Sequence, residues 1–481
     1  MICAVKRPTG GQAAVAATVL LGAWFRLPPI LTHGPVNYDD GVFAAVSAAL
    51  RRGDLPYREI IGTQGPFYYA LLWLTGVVSG HWEGSARLAP FAAGVVLVAL
   101  AVALARAAGG RMAAVTAGIL VATSGSLLRA TAPAESDGIA AAFGGGAVLM
   151  AAHANTRRGI IAAGVLAGAG LSVKNALAVP AAAACVWLIG RRHGRTAAVV
   201  AGIATAVTVV AIAAPFGVVA VARDSVLLHT KAGHFRPGHN TGLIRDAAWG
   251  NDRLLVIAVA ATLVGLTITA IRHARPQHRS VGSYRPLEAV TADRSDGRAV
   301  TEALVLWAGG IVVVLLCVPH LWIHNLAAAA VPVAVLSARC LPDSMLVTAA
   351  AIALVPWQVH VMDFIRHPGL PTPNEAAVIA EMRAELPPGA AVVSDEPGLV
   401  AWAGFRVPPE VIDPSFVLFG ADRVTRATID RAASADGTCA LLFWSRRFDL
   451  FGVTPPAGYH EAGRYTPLRR LYVRDDCVQR E

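Results

Sequence analysis

Apolar runs of 15 to 26 residues recur along this chain between short polar breaks, a spacing that predicts membrane-crossing helices rather than the core elements of a soluble fold. The candidate spans are 11–30, 86–105, 112–128, 138–154, 159–173, 176–190, 196–221, 253–272, 301–318, 321–338 and 343–362. Arginines give them a direction. If the spans alternate, Arg106 with Arg111, Arg157 with Arg158, the group Arg191, Arg192 and Arg195, the loop Arg272–Arg298 and Arg339 share one side, as basic residues do in cytoplasmic loops. One further apolar stretch, Pro66–Trp82, would break this alternation if it crossed, so it is expected to lie as a juxtamembrane or re-entrant helix on the outer side. The N-terminus is then cytoplasmic. The first run continues to Ile30 without a small-residue cleavage site, which favours a retained span over a signal peptide.

On the outer side fall the polar segments 31–65, 129–137, 222–252 and everything after 363. From Pro371 the pattern becomes that of a soluble α/β domain: helical periodicity over Asn374–Leu386 and Ala421–Ala433, strand-like runs at Ala390–Ser394 and Cys439–Trp444. The expected architecture is a polytopic α-helical membrane domain (1–370), with its first outer loop at 31–65, followed by a small extracytoplasmic α/β domain (371–481).

Composition agrees. Of 481 residues 55% are hydrophobic and 15% charged, against roughly 25% charged in soluble proteins, and the mean hydropathy is +0.54. These values exclude a water-soluble fold. A net charge of +10 would suit nucleic acid, but the basic residues gather between apolar runs and report topology instead, so no nucleic-acid partner is expected. Six cysteines show no CxxC spacing, which argues against a thiolate metal site. Cys439 and Cys477 are the pair in the external domain and on neighbouring strand-like runs, where a disulfide is expected. The alternative is a buried Cys439 and a Cys477 in a loose tail.

Chemistry is sought in the outer segments. Asp39 and Asp40 follow the first span and precede an amphipathic stretch, Val42–Arg51. Paired carboxylates can supply a general base, a divalent-cation ligand, or both; a helix N-cap is the plainer reading. Glu135 and Asp137 stand before a span, where carboxylates favour the helix dipole. Lys174, one of three lysines in the chain, sits between apolar segments, as a functional cation or a snorkelling one. The stretch His229–His239 brings together His229, Lys231, His234 and Arg236. Such cations suit a phosphate, with a solvated loop as the alternative, while the five-residue step from His229 to His234 does not fit two metal ligands on one helix face. His320 opens a His/Trp-containing segment at the outer end of a span, which also fits an interfacial belt.

The stretch Asp39–Leu72 (DDGVFAAVSAALRRGDLPYREIIGTQGPFYYALL) resembles the first outer loop of the GT-C membrane glycosyltransferases. The nearest group is the dolichyl-phosphate-mannose protein mannosyltransferases and aminoarabinose transferases. It departs from their pattern twice: the second acid is Asp, and Thr63-Gln64-Gly65-Pro66 stands where many members carry His-Lys-Pro-Pro. Arg129–Phe143, Gly168–Pro180, His229–His239 and Pro319–Asn325 resemble later segments of the family in the same order. The resemblance implies a GT-C-like fold of about 11–13 transmembrane helices. It also implies transfer of a sugar from a polyprenyl-phosphate donor to a glycan, lipid or protein acceptor at the outer face of the plasma membrane. In those terms Asp39 is the catalytic base and Asp40 the second acid. Lys174, His229, Lys231, His234, Arg236 and His320 meet the donor phosphate, and a divalent cation, Mg or Mn, sits near Asp40, Glu135 and Asp137. Two rivals stay open: a transporter or lipid flippase, and a non-catalytic glycan-binding scaffold.

Overall fold

The computed structural model describes residues 10–32, 34–80, 83–233, 237–274, 288–341, 345–366 and 372–477. Ten helices lead the chain in order: α1 Gly10–Leu31, α2 Tyr38–Arg52, α3 Pro66–Val78, α4 Leu88–Ala108, α5 Arg111–Ala122, α6 Gly125–Thr131, α7 Asp137–His153, α8 Arg157–Leu171, α9 Asn175–His193 and α10 Arg195–Ala213. The remaining long helices of the membrane part are Pro237–Asn251, Arg253–Ala274, Glu288–Cys317, Ala327–Cys340 and Met345–Arg366.

Among the described residues every expected span is largely helical, though not always as one rod. Six described helices are long and apolar enough to cross a membrane, or eight when each of two bent pairs counts as one span. The expected span 112–128 is one of those pairs, bent by 61° between α5 and α6. Asp252, buried at the elbow of the other pair, accepts from Ser124 Oγ at 2.7 Å and from the Ser126 N–H at 3.3 Å, so it pins both bends. Helices α7 and α8 fall below the length of a full span, at 17 and 15 residues. Small residues let them pack closely: a Cβ on Gly164 or Gly168 of α8 would meet backbone oxygens of α10 at 2.5 and 2.6 Å.

Two ends of the bundle can be told apart by their contacts. At one end Arg191 approaches Glu302 at 3.9 Å and Gly109 lies against Arg339. At the other, the Gly65 and Phe67 N–H groups donate to Val173 O and Ser172 O, and Arg87 meets Asp40. Helix α3 starts and finishes at this second end. Its 13 residues reach about 20 Å at 1.5 Å per residue, less than the roughly 30 Å of a hydrocarbon core.

The C-terminal part is a four-stranded sheet with helices on it. Strands β1 Ala391–Ser394, β2 Thr438–Phe443, β3 Tyr459–Thr466 and β4 Arg469–Arg474 lie in the order β1-β2-β4-β3. β1 and β2 are parallel, and the other pairs are antiparallel. β1 and β2 are buried along their whole length, hence their continuous apolar sequence. The expected helix Asn374–Leu386 forms as Pro373–Glu385 behind a Thr372/Glu375 capping box. The expected helix Ala421–Ala433 forms only as Arg426–Ser434, because Asp422 takes a positive φ of 56° and Thr425 caps the start. Cys439 and Cys477 are joined as a disulfide, with Cα atoms 5.5 Å apart.

This domain docks on the site end of the bundle. Gly41 in α2 and Gly398 in the helix Pro397–Ala403 touch backbone to backbone: a Cβ on either would lie 2.8 or 2.6 Å from the other's Cα.

Candidate active site

Helix α2 is capped by Asn37, whose Oδ1 accepts from the Asp40 N–H at 2.7 Å, so neither aspartate serves as the cap. The two carboxylates then part company. Asp40 is buried, and both its oxygens are engaged: Arg87 Nε at 3.0 and 3.1 Å, Arg87 Nη2 at 2.6 Å, the Val36 N–H at 2.9 Å and the Ala134 N–H at 2.8 Å. The remaining Arg87 donors go to the carbonyls of Pro29, Thr32 and Gly34 at 2.6–2.9 Å. Asp40 therefore ties α1, α2, the Ala134 loop and the Arg87 segment together and does not line the cavity. Asp39, one residue earlier, does.

The cavity holds about 460 Å³. One wall is ionisable, with Asp39, Glu135, Lys174 and His324, and another is apolar, with Leu177, Val226, Val314, Cys317 and Val318. A charged head and a hydrocarbon tail could occupy it together. Lys174 Nζ bonds Asp137 Oδ2 at 2.6 Å, and Asp137 Oδ1 accepts from Asn325 Nδ2 at 2.7 Å. Burial alone would lower the Lys174 ammonium, but Asp137 and then Glu135 outweigh it and hold the group above its ordinary value. The lysine stays charged at the cavity wall. Asp137 is thus the partner of Lys174 and Asn325 rather than a free ligand.

Asp39, Glu135 and His324 each offer an atom within 4.8 Å of the others. Glu135 is buried, accepts one long hydrogen bond from Asn37 Nδ2 at 3.4 Å, and has His324 Nδ1 at 3.6 Å. Burial, with Asp39 and Asp137 nearby, pushes its carboxyl well above the usual range, a cost that a cation would relieve. His324 brings an imidazole, a common metal ligand, against that carboxyl. Two carboxylates and an imidazole fit a divalent ion. Of the acids expected to lie near a metal, Glu135 belongs to this group, while Asp40 and Asp137 are committed elsewhere.

The other expected phosphate contacts divide. His229 and His320 line the cavity, yet each spends Nε2 on a backbone carbonyl, Thr63 O at 2.9 Å and Ala232 O at 2.8 Å. Because a carbonyl only accepts, Nε2 carries the proton in both rings, and both clasp the segment 228–233. Lys231 is exposed and does not line the cavity. His234 and Arg236 lie outside the described residues. Four groups were not singled out from the sequence: Arg87, His324, and two side chains of the C-terminal domain, Asp413 and Arg447, which also line the cavity. His324 lies in the His/Trp segment, four residues after His320, which was the residue the motif drew attention to.

Residues 63–219, short of half the chain, match the family described as dolichyl-phosphate-mannose-protein mannosyltransferase. No curated protein matches the chain in sequence. In fold the chain is similar to ArnT from Cupriavidus metallidurans. Bound to undecaprenyl phosphate, that protein is 14% identical with a TM-score of 0.59, over 96% of this chain and 97% of the other; in its apo state the score is 0.64, over 98% of each. The oligosaccharyltransferase of Archaeoglobus fulgidus, in complex with Zn and sulfate, is similar at 14% identity and a TM-score of 0.56, over 96% of this chain and 73% of the other. The chain has the GT-C membrane fold with a small C-terminal sheet domain, as its first outer loop implied.

Proposed function

We infer that this multi-pass membrane protein is a glycosyltransferase that moves a sugar from a polyprenyl-phosphate carrier to a hydroxyl-bearing acceptor at the outer face of the membrane. The observation that carries the reading is one cavity in which the Asp39 carboxylate and the Lys174 ammonium share space with an apolar wall. The family match over 63–219 and the fold shared with an undecaprenyl-phosphate-binding protein support the lipid carrier.

Asp39 takes the proton of the acceptor hydroxyl as its oxygen attacks the anomeric carbon, while the bond from that carbon to the phosphate oxygen breaks and the lipid phosphate leaves. Lys174, held charged and aimed by Asp137, lies where it can pair with the leaving phosphate, and Arg236 is proposed to join it. Asp40 acts indirectly, by fixing the first turn of α2 through Arg87. A divalent cation, held by Asp39, Glu135 and His324, would supply further positive charge beside the phosphate. His229 and His320 hold the segment over the cavity and meet the phosphate only through whatever their Nδ1 atoms reach.

Purified protein given an undecaprenyl-phosphate-linked sugar and an envelope fraction as acceptor provides the test. Asp39→Asn keeps the shape and loses the basicity, so transfer should fall about 100-fold or more with an unchanged melting temperature. Wild-type turnover by the folded variant would remove Asp39 as the base.

A further inference from the structure

The C-terminal domain enters the cavity through a small set of residues that the transfer chemistry leaves unused. Asp395, buried at the end of β1, accepts the N–H groups of Trp444 at 2.6 Å, Ser445 at 3.1 Å and Phe448 at 3.3 Å, which fixes the loop after β2. That loop carries Arg447. Its Nη1 is bound to Ser445 Oγ at 2.7 Å and to Asp395 O at 3.3 Å, and its guanidinium lies 3.5 Å from the Tyr38 ring centre and 5.2 Å from that of Phe416. Its Nε is buried and has no partner among the described residues.

Tyr38 immediately precedes Asp39, and its hydroxyl donates to Asp413 Oδ1 at 3.2 Å. Asp413 Oδ2 has Thr63 Oγ1 at 3.5 Å, and the Ser415 side chain also bonds this carboxylate. A carboxylate has about four lone-pair positions, so this one has capacity to spare, in a half-buried place that faces the cavity. Phe416 is 42% exposed beside it.

We propose that Asp413, Arg447 and Phe416 form the acceptor subsite of this enzyme and that the acceptor is a carbohydrate. This rests on the glycosyltransferase reading and adds its acceptor class. Adjacent sugar hydroxyls can donate to Asp413 and accept from Arg447, while the C–H face of a pyranose or furanose ring lies on the Phe416 ring. The Tyr38–Asp413 bond sets that subsite next to the residue that takes the hydroxyl proton. An extended peptide acceptor would need backbone partners, such as a strand edge. The domain offers none here: its cavity residues are 413, 415–417 and 447, all outside the strands.

The test uses the full chain in nanodiscs on an array of immobilised oligosaccharides and Ser/Thr-containing peptides, with undecaprenyl phosphate binding measured in parallel. Wild type should be retained on a subset of oligosaccharides. Asp413→Asn and Phe416→Ala should each weaken that retention about tenfold or more, with undecaprenyl phosphate affinity within about twofold of wild type and an unchanged melting temperature. A role in docking alone would lower the melting temperature and leave retention by the folded protein intact. If Asp413→Asn does not fold, the exposed Phe416→Ala decides. Retention on peptides alone, on nothing, or equally by both variants overturns the proposal. Failure of wild type to bind undecaprenyl phosphate would instead count against the glycosyltransferase reading, and the oligosaccharide arms would still judge the subsite.

Discussion

Two adjacent aspartates with different tasks illustrate how much one helical step changes. Successive residues in a helix point about 100° apart, so when Asp39 faces the cavity, Asp40 faces the bundle and Arg87. A sequence shows the pair but not the phase of the helix, and so gives both residues one job. The buried Arg87–Asp40 pair separates them experimentally. Removing one partner of a buried ion pair typically costs about 3–5 kcal/mol, so Asp40→Asn should lower the yield and melting temperature of the purified protein, whereas Asp39→Asn should lower turnover alone. Equal melting temperatures for both variants would show that Asp40 is not structural. Glu396 gives a pH prediction at the same scale. Burial pushes its carboxyl from 4.5 up to about 8, with Arg447 4.0 Å away opposing the shift. A carboxyl whose folded value is raised contributes stability that is whole below its unfolded value and is lost as pH climbs through the folded one. Thermal stability should therefore fall from pH 5 to pH 8, and Glu396→Gln, which cannot ionise, should flatten that slope. An unchanged slope in the variant would place the titration elsewhere.

Elements meet here through their smallest residues. The crossing of α2 and Pro397–Ala403 depends on Gly41 and Gly398, where a single methyl would sit inside van der Waals contact of the opposing backbone. Gly41→Ala should push the C-terminal domain off α2, shift Tyr38 relative to Asp413, and make the junction near residue 371 more sensitive to limited proteolysis, with transfer falling in step. Transfer and proteolysis like those of wild type would mean that the crossing tolerates the methyl. The helices themselves were legible because the apolar runs are mostly long and many are bounded by arginine or glycine, and the buried β1 and β2 because they are continuously apolar. What escaped has a physical reason in each case. β3 is half exposed at the sheet edge, with a mixed pattern and two register shifts, so it carries no clean alternation. The break after α5 is written in Ser124 and Ser126, whose partner Asp252 is more than a hundred residues away. His324, Asp413 and Arg447 join the site only through long-range packing, and no local spacing connects them to Asp39.

The whole molecule has a basic end and a chemical end, and the chain alternates between them. Asp39, Lys174, His324 and the entire C-terminal domain gather at one end, while the arginine-rich turns at 106–111, 157–158 and 191–195 close the helices at the other. This supports a cytoplasmic basic end, where lysine and arginine collect, and an outer site. The Cys439–Cys477 bond points the same way, since a structural disulfide persists on the oxidising side of a membrane and is rare in the cytosol. It closes a loop of 38 residues, worth a few kcal/mol in the chain-entropy account, and it ties the segment after β4 to the start of β2. Single cysteines placed at Asp436 and at Arg158 in a background lacking the free thiols should therefore respond oppositely to a membrane-impermeant maleimide applied to intact cells, with Asp436→Cys labelled and Arg158→Cys labelled only after permeabilisation. Peptide mapping of protein from the same membranes, without reductant, should recover Cys439 and Cys477 as one crosslinked pair. If Arg158→Cys were the one labelled, the site would face the cytoplasm. The sugar donor would then have to be met on that side, and the disulfide would have to form where thiols are kept reduced.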